Sequence, residues 1–589
     1  MSRRELLRAG AIGGVGLLGL DRLARLVGEP GLVGAAGAAF DPFPNPLTFP
    51  PEITSQHVTL TAGPSEVRIF PGQKTRMWTF NGTFPGPTIR RPTGEPTYLR
   101  VVNHVPDEEP ISLHHHGGHQ APDDDGQPRP EVGIPFGGHR DYFFGMTMEG
   151  EPAQAALRFY HDHTHFLTLK RWWMGMAGFF ILEDDVEGAL PLPRGRYELP
   201  LMITDRSFDS NNQLVEPFGN PVVVNGRQVT GIPPVDDVVG ATTLVNGVVN
   251  PHLEVEARRY RLRVLNAAVY RPYALRLNGG GTLTQIGTES GLQPVPTEMP
   301  NYFLGPAQRV ELVADFTGLA GKKVLLESVN TLPPSSLATA PAIAPLLQFR
   351  VKEPTGPDPT SVPDELRPLP YWVGELDPFR IDRVWIFSYG SDGKATAWTI
   401  NGFAYDHSRI DGRPELGSTE TWALINATPQ RTSHYIHLHD VDWYLVSRNG
   451  RPAPPDEIGV KETFRIDPGE VAVVGTKFTD FVGPYMLHCH MVNHEDHGMM
   501  ARWDVTDRGR GDLRAYRGEV TRARMNGHGV DVRTPGLTPF ARACALDVLR
   551  QISERPGQAA DVRAASEAGY ATGTSPVVGT PTMYCDVPR

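Results

Sequence analysis

Tyr98-Leu99-Arg100-Val101-Val102-Asn103 follows an Asn81-Gly82 turn signal, and the same arrangement occurs twice more. Asn246-Gly247 precedes Tyr260-Arg261-Leu262-Arg263-Val264-Leu265-Asn266, and Asn401-Gly402 precedes Thr421-Trp422-Ala423-Leu424-Ile425-Asn426. Asn-Gly is a strong turn dipeptide, and each segment after it alternates apolar residues with a period of two. Three copies of one turn-plus-strand unit read as three related β-sandwich domains, so the expected class is all-β. Length agrees, since 589 residues are too many for one domain. The 62 glycines and 56 prolines suit many short strands joined by turns. Boundaries are expected near Glu183 to Pro193 and in the proline-rich run Pro354 to Pro370.

The two ends read differently. Ser2-Arg3-Arg4-Glu5-Leu6-Leu7 is a twin-arginine pattern, followed by a weakly apolar, glycine-rich run from Ala9 to Leu20. That run is too short to span a bilayer as a helix, so residues 1–38 are expected to be a signal segment and the mature protein to be extracytoplasmic, bacterial and without a membrane anchor. Residues 508–589 form a distinct tail with helical character from Thr538 to Ile552. Cys544 and Cys585 lie in it, either as a disulfide or as two free thiols. The net charge of −11 argues against nucleic acid or an anionic membrane as partner. Oligomeric state is not legible.

The chemistry is concentrated in His488-Cys489-His490-Met491-Val492-Asn493-His494-Glu495-Asp496-His497-Gly498-Met499. A cysteine, a histidine five residues on and a methionine ten residues on are donors for a blue-copper site, given one more imidazole. On an extended strand neighbours point to opposite faces, so His488 and His490 face away from Cys489 and can hold further metal ions there. Three more clusters exist: His114-His115-His116, His161-Asp162-His163, and His434-Tyr435-Ile436-His437-Leu438-His439. Each cluster, the first one included, contains a His-x-His pair, which puts two imidazoles on one strand face. A lone pair of this kind is usually an ordinary feature, but four together supply eight imidazoles, enough for three copper ions. His434 and His494 remain and complete the Cys489 site, so ten histidines, one cysteine and one methionine serve four coppers. His115 alternates to the wrong face, and His119 and His497 read as bystanders. His165 keeps strand parity with His163, which leaves a place near the metal or the substrate open.

On these motifs the chain resembles three-domain multicopper oxidases of the branch with spore-coat laccase, bilirubin oxidase and phenoxazinone synthase. The resemblance runs from about Pro42 to Asp507 and includes Leu201-Met202-Ile203-Thr204-Asp205-Arg206, Leu244-Val245-Asn246-Gly247 and Leu253-Glu254-Val255-Glu256. It implies three cupredoxin-like, Greek-key β-sandwich domains at 42–190, 194–352 and 371–507. It further implies that His114 and His437 hold a type 2 copper, and that His116, His161, His163, His439, His488 and His490 hold a type 3 pair. His434, Cys489 and His494 would hold a type 1 copper with Met499, not the adjacent Met500, as axial ligand. Ligands then come only from the first and third domains, and the second is a spacer. Asp125 and Glu495 match the family's proton-handling positions. The implied activity is a copper oxidase that takes single electrons from a small phenolic or aminophenolic reductant and reduces dioxygen to water. Cu(I), Mn(II) and bilirubin are alternative substrates, although the 14 methionines form no methionine-rich insert. A non-catalytic copper-binding protein is the remaining alternative, and it fits poorly with a complete ligand set.

Overall fold

The Asn-Gly repeat is a structural repeat down to single hydrogen bonds. Asn81, Asn246 and Asn401 each adopt a left-handed conformation, with φ of 54°, 50° and 54°. Asparagine tolerates that region because its short side chain bonds the local backbone. Their Oδ1 atoms accept from the backbone N–H of Thr61, Met202 and Ile386, and their Nδ2 groups donate to the carbonyls of Thr59, Pro200 and Val384. The asparagines that end the repeated strands are equally matched. Asn103, Asn266 and Asn426 accept from the N–H two residues on and donate to the carbonyls of Ile134, Leu304 and Ile466. Each repeated strand also pairs in parallel with one from earlier in its own unit: His57–Val67 with Thr97–Asn103, Glu198–Arg206 with Arg259–Asn266, and Arg383–Ser391 with Thr419–Asn426.

The computed structural model describes residues 41–507 except 108, 218–221, 225–226, 230–237, 330–342, 378–379, 392–395 and 429–431. The expected signal segment, Cys544, Cys585 and the tail helix lie outside the described residues. Among the described residues strands account for 49% and helices for 7%, which makes the class all-β. Among the described residues no helix is long and apolar enough to cross a membrane.

The large sheets come in three successive pairs. A five-stranded and a four-stranded sheet use residues 52–183, a seven-stranded and a six-stranded sheet use mainly 198–352, and another seven-stranded and four-stranded pair uses 383–505. In the first pair, Thr97–Asn103 alternates buried and more open positions, as a strand with one solvated face must. Leu113–His116 and Ala156–Asp162 are buried at every position, because both of their faces meet protein. Near Glu183 to Pro193 the chain forms a short helix, Asp185–Ala189, whose Asp184 cap accepts from Glu187 N–H at 2.7 Å. Glu187 then pins this crossover to Arg261 and Arg263 of the middle sheet at 2.8 and 2.7 Å.

The largest core is shared among all three pairs. It joins Leu157, Phe159 and Trp172 from the first, Met202, Leu265 and Val269 from the middle, and Trp398, Tyr435, Leu487, Cys489 and Met499 from the third. A buried Leu or Phe contributes roughly 1.5–3 kcal/mol. Several dozen such side chains therefore hold the three parts in one arrangement, and the histidine clusters lie along that seam.

Candidate metal centre

Strand pairing explains why the histidine motifs come two to each half. Leu113–His116 runs antiparallel to Ala156–Asp162 with His114 opposite His161. In the third sheet pair, His434–Leu438 runs antiparallel to Gly483–Cys489 with His437 opposite His488. Two His-x-His motifs on neighbouring strands put four imidazoles on one face, and the two halves set these faces against each other. His116 stacks on His437 with ring centroids 3.7 Å apart, and His114 on His439 at 4.1 Å. His115 points the other way, between Phe144 and Phe180.

Donor and acceptor matching fixes which nitrogen of each ring faces inward. His114 Nδ1 bonds the carbonyl of Asp125 at 2.6 Å, His161 Nδ1 that of Asp162 at 2.8 Å, and His437 Nδ1 that of Glu462 at 3.1 Å. His439 Nδ1 bonds Asp125 Oδ2 at 2.7 Å. His163 Nδ1 and His488 Nδ1 lie 3.1 and 3.0 Å from the Glu495 carboxylate. A carbonyl or ionised carboxylate only accepts, so the N–H of His114, His161, His437 and His439 is outside and the Nε2 lone pair inside, and the Glu495 carboxylate lies on the same Nδ1 side of His163 and His488. His116 is reversed: its Nε2 meets Glu462 Oε1 at 3.0 Å, and its Nδ1 has no hydrogen-bond partner. Neither nitrogen of His490 is partnered. The inward atoms converge: His114 and His437 Nε2 are 3.3 Å apart, His163 and His439 3.4 Å, and His439 and His488 3.2 Å. Lone pairs aimed at one another at such distances repel unless a cation lies among them, so the donor set fits metal ions. Burial first, then the neighbouring rings, hold His114, His116, His437 and His439 well below the usual histidine range, in the neutral form that ligates.

The carboxylates behind the rings are shifted in opposite directions. Burial pushes Glu495 up, but His488 and His163 more than offset it and hold the group well below the usual range. Asp125 is raised, chiefly by burial. The Asp125-Gly126 turn passes against Leu113–His116 so closely that only glycine fits. Gly126 has φ +71°, and a Cβ there would lie 1.7 Å from the Leu113 carbonyl oxygen.

A second, smaller site sits on the other face of the Cys489 strand. Cys489 Sγ lies 3.5 Å from Nδ1 of both His434 and His494, and those nitrogens are 3.2 Å apart. His434 is held by Thr428 Oγ1 on its Nε2 at 2.7 Å, and Trp398 stacks on His494 at 3.9 Å. The expected extended segment ends at Cys489, and a short helix, Val492–Asp496, carries His494 back over the thiol. Met499 is bolted to this group by backbone bonds: its carbonyl accepts from Cys489 N–H at 3.1 Å, and its N–H donates to the His494 carbonyl at 2.9 Å. Met499 shares the Cys489 core, whereas Met500 packs with Tyr405 and Met486. Burial raises the Cys489 thiol to about 12 and lowers His434 to about 3. A bound cation would reverse the first of these by stabilising the thiolate. One soft sulfur and two imidazoles are a copper donor set.

The ten expected histidines and Cys489 are therefore brought to two neighbouring sites on a shared strand, with Met499 tied to the second through its backbone. Among the described residues, the groups close enough to share a metal are drawn from these positions plus Glu462. Glu462 carried no sequence signal, since Lys461-Glu462-Thr463 has no histidine beside it and its partners lie far away in the chain. Of the bystanders, His119 is buried between Asp440 and Asp480. The strand carrying His161 ends at Asp162, so strand parity does not reach His165, which stacks on Phe166 at 3.5 Å.

Comparison with known proteins supports the same reading. Residues 62–187 and 384–509 match family models described as multicopper oxidase. The chain is similar to a bilirubin oxidase of Albifimbria verrucaria, 32% identical with 72% of each chain covered. Its fold is similar to that of a laccase from Pediococcus acidilactici, with a TM-score of 0.68, 28% identity, and 81% of this chain and 95% of that one covered. A laccase of Bacillus subtilis (strain 168) is 32% identical over 74% of this chain and 91% of its own length, and on that match the chain belongs to the multicopper oxidase family.

Proposed function

We propose that this multicopper oxidase draws electrons from small phenols or aminophenols at the Cys489 site and uses them on dioxygen at the eight-histidine cluster. Copper dependence, oxidation of a reductant and reduction of oxygen come with the family. In this reading His434, Cys489, His494 and Met499 hold the type 1 ion and His114 and His437 the type 2 ion. His116, His161, His163, His439, His488 and His490 hold the type 3 pair. Copper bound there supplies one-electron uptake at the thiolate site and four-electron reduction of dioxygen to water at the cluster. The observation that carries the proposal is the single strand end His488-Cys489-His490, which joins the sulfur of one site to two imidazoles of the other through a few covalent bonds.

The chain's own task at the cluster is to orient rings and supply protons. Glu495 lies against two imidazoles and Asp125 bonds a third, so both carboxylates stand where a proton is needed and where bulk water has little access. Glu495→Gln keeps the shape but cannot pass a proton. It is expected to lower turnover at least about tenfold, with anaerobic bleaching of the blue colour by substrate left near wild-type speed. Slow anaerobic bleaching would assign Glu495 to the thiolate site instead. The decisive experiment records oxygen uptake by copper-loaded protein against phenols, aminophenols, bilirubin, Cu(I) and Mn(II). Faster uptake with a metal ion or bilirubin than with any phenol would overturn the substrate class.

The domain limits we adopt are 42–190, 194–352 and 371–507. They are supported by the three sheet pairs and the threefold asparagine pattern. Export through the twin-arginine route fits a bacterial protein that takes its metal before crossing. Replacing Arg3 and Arg4 by lysine should leave the precursor in the cytoplasm, and normal secretion of that variant would retire the proposal.

A further inference from the structure

The middle sheet pair contributes no histidine to the cluster, yet one of its side chains stands directly behind it. Arg309 opens the strand Arg309–Asp315 and is fully buried. All five of its N–H groups have acceptors, which the guanidinium fork allows only in a prepared site. Nε donates to the Leu157 carbonyl at 3.0 Å, on the strand that carries His161. Nη1 donates to the Ala307 carbonyl at 3.2 Å and to Glu462 Oε1. Nη2 donates to the Glu289 carbonyl at 3.1 Å and to Glu462 Oε2 at 3.0 Å. Glu462 in turn accepts from His116 Nε2 at 3.0 Å through its carboxylate and bonds His437 Nδ1 at 3.1 Å through its carbonyl. One residue thus holds both rings of the His116–His437 stack, one from each half of the cluster. Gly117, next to His116, leaves room for the pair: it has φ +79°, and a Cβ there would lie 2.8 Å from Arg309 Nη2 and 3.3 Å from Glu462 Oε2.

We infer that Arg309 and Glu462 form a positioning unit that commits His116 to the cluster through Nδ1 and thereby makes the middle sheet pair a structural part of the metal site. This rests on the ligand reading above. The argument is one of hydrogen-bond polarity. Glu462 Oε1 can only accept, so it keeps the His116 proton on Nε2 and leaves the Nδ1 lone pair for a metal ion. The bidentate guanidinium stops the carboxylate from turning away. Arg309 also bonds the His161 strand, so a shift of the middle sheet is transmitted to His116 and His161 together.

Removing either charge alone would strand the other in the interior, so the test uses two neutral pairs that differ in one hydrogen bond. Arg309→Met with Glu462→Gln keeps an oxygen able to accept from His116. Arg309→Met with Glu462→Met fills the space and leaves His116 only the longer contact to Thr463 Oγ1 at 3.4 Å. Copper per chain is followed by chelator competition, with the blue absorbance of the Cys489 site and the unfolding midpoint of the copper-free chain as controls. We expect the Met/Gln protein to keep most of its affinity at the cluster. The Met/Met protein should lose on the order of 10–100-fold, as when support behind a metal-bound histidine is removed. Blue absorbance and copper-free unfolding should match between the two. Equal cluster affinity in both, or blue absorbance falling in step with cluster copper, overturns the inference. Wild-type protein that loads fewer than four coppers, or shows no blue colour, overturns the ligand reading instead.

Discussion

At the scale of single residues, Cys489 is where charge and geometry meet. Its thiol is buried beside two neutral imidazoles, a setting that favours a thiolate only with a soft cation present. Cys489→Ser should abolish the blue colour and the oxidase activity while the histidine cluster keeps most of its copper, checked by absorbance and elemental analysis. Sustained phenol turnover in that variant would mean electrons enter elsewhere. His119 makes a separate statement about pH. Burial lowers its imidazole, but Asp440 and Asp480 raise it further, to about 10. Burial lifts Asp440 to about 6, whereas Asp480, partly exposed, is held low by His119 and is the partner that stays ionised. The unfolded value is about 6.5, so the folded value is raised. The stabilisation is then complete below about pH 6.5 and is lost as pH climbs toward 10. Urea midpoints of the copper-free protein should fall more steeply over that window in wild type than in His119→Gln, and parallel curves would refute the pairing.

At the scale of elements, the cluster depends on two antiparallel strand pairs and on the turn that presses against one of them. Gly126 lies where the Asp125 turn crosses Leu113–His116, and Asp125 serves His114 and His439 from that turn. Gly126→Ala should cost roughly 1–3 kcal/mol from the left-handed backbone alone. The collision with the Leu113 carbonyl adds to that and pushes His114 off its register. Chemical denaturation and copper content should fall together, and an unchanged midpoint would show that the turn can move away freely. The short helix Val492–Asp496 plays the matching part at the other site. It turns the chain so that His494 meets Cys489 while Glu495, one residue on, faces the cluster behind it.

At the scale of the molecule, the histidine cluster is a seam between the first and third sheet pairs, backed by the middle pair through Arg309. In the proposed ligand reading, ions bound there would link segments more than 300 residues apart, such as His114 and His437. Ligands that bind only the folded state stabilise it by mass action, about 4 kcal/mol per site at a thousandfold excess over Kd. Stripping copper with a chelator should therefore lower the thermal midpoint by several degrees, and restoring copper should recover it. An unchanged midpoint would mean that the shared hydrophobic core alone sets the arrangement.

The sequence by itself determined the sheet class, the threefold repeat and which side chains stand as candidate donors. Those features are local: strand periodicity, a turn dipeptide, and a histidine two residues from another are written in neighbouring positions. The Asn-Gly turns at Asn81, Asn246 and Asn401 and the His114–His116 pair are read directly because each is a motif of neighbouring residues. Tertiary structure alone decided what stands behind the donors. Glu462 reaches His116, and Arg309 reaches Glu462, through packing between distant elements, and a lone acidic or basic residue on a strand carries no mark of the imidazole it will stand behind. It also decided which nitrogen of His114, His116, His437 and His439 looks inward, since that depends on an acceptor supplied by another segment. The physical reason is that ligand identity is a property of side chains, whereas ligand orientation is a property of the hydrogen bonds that folding assembles around them.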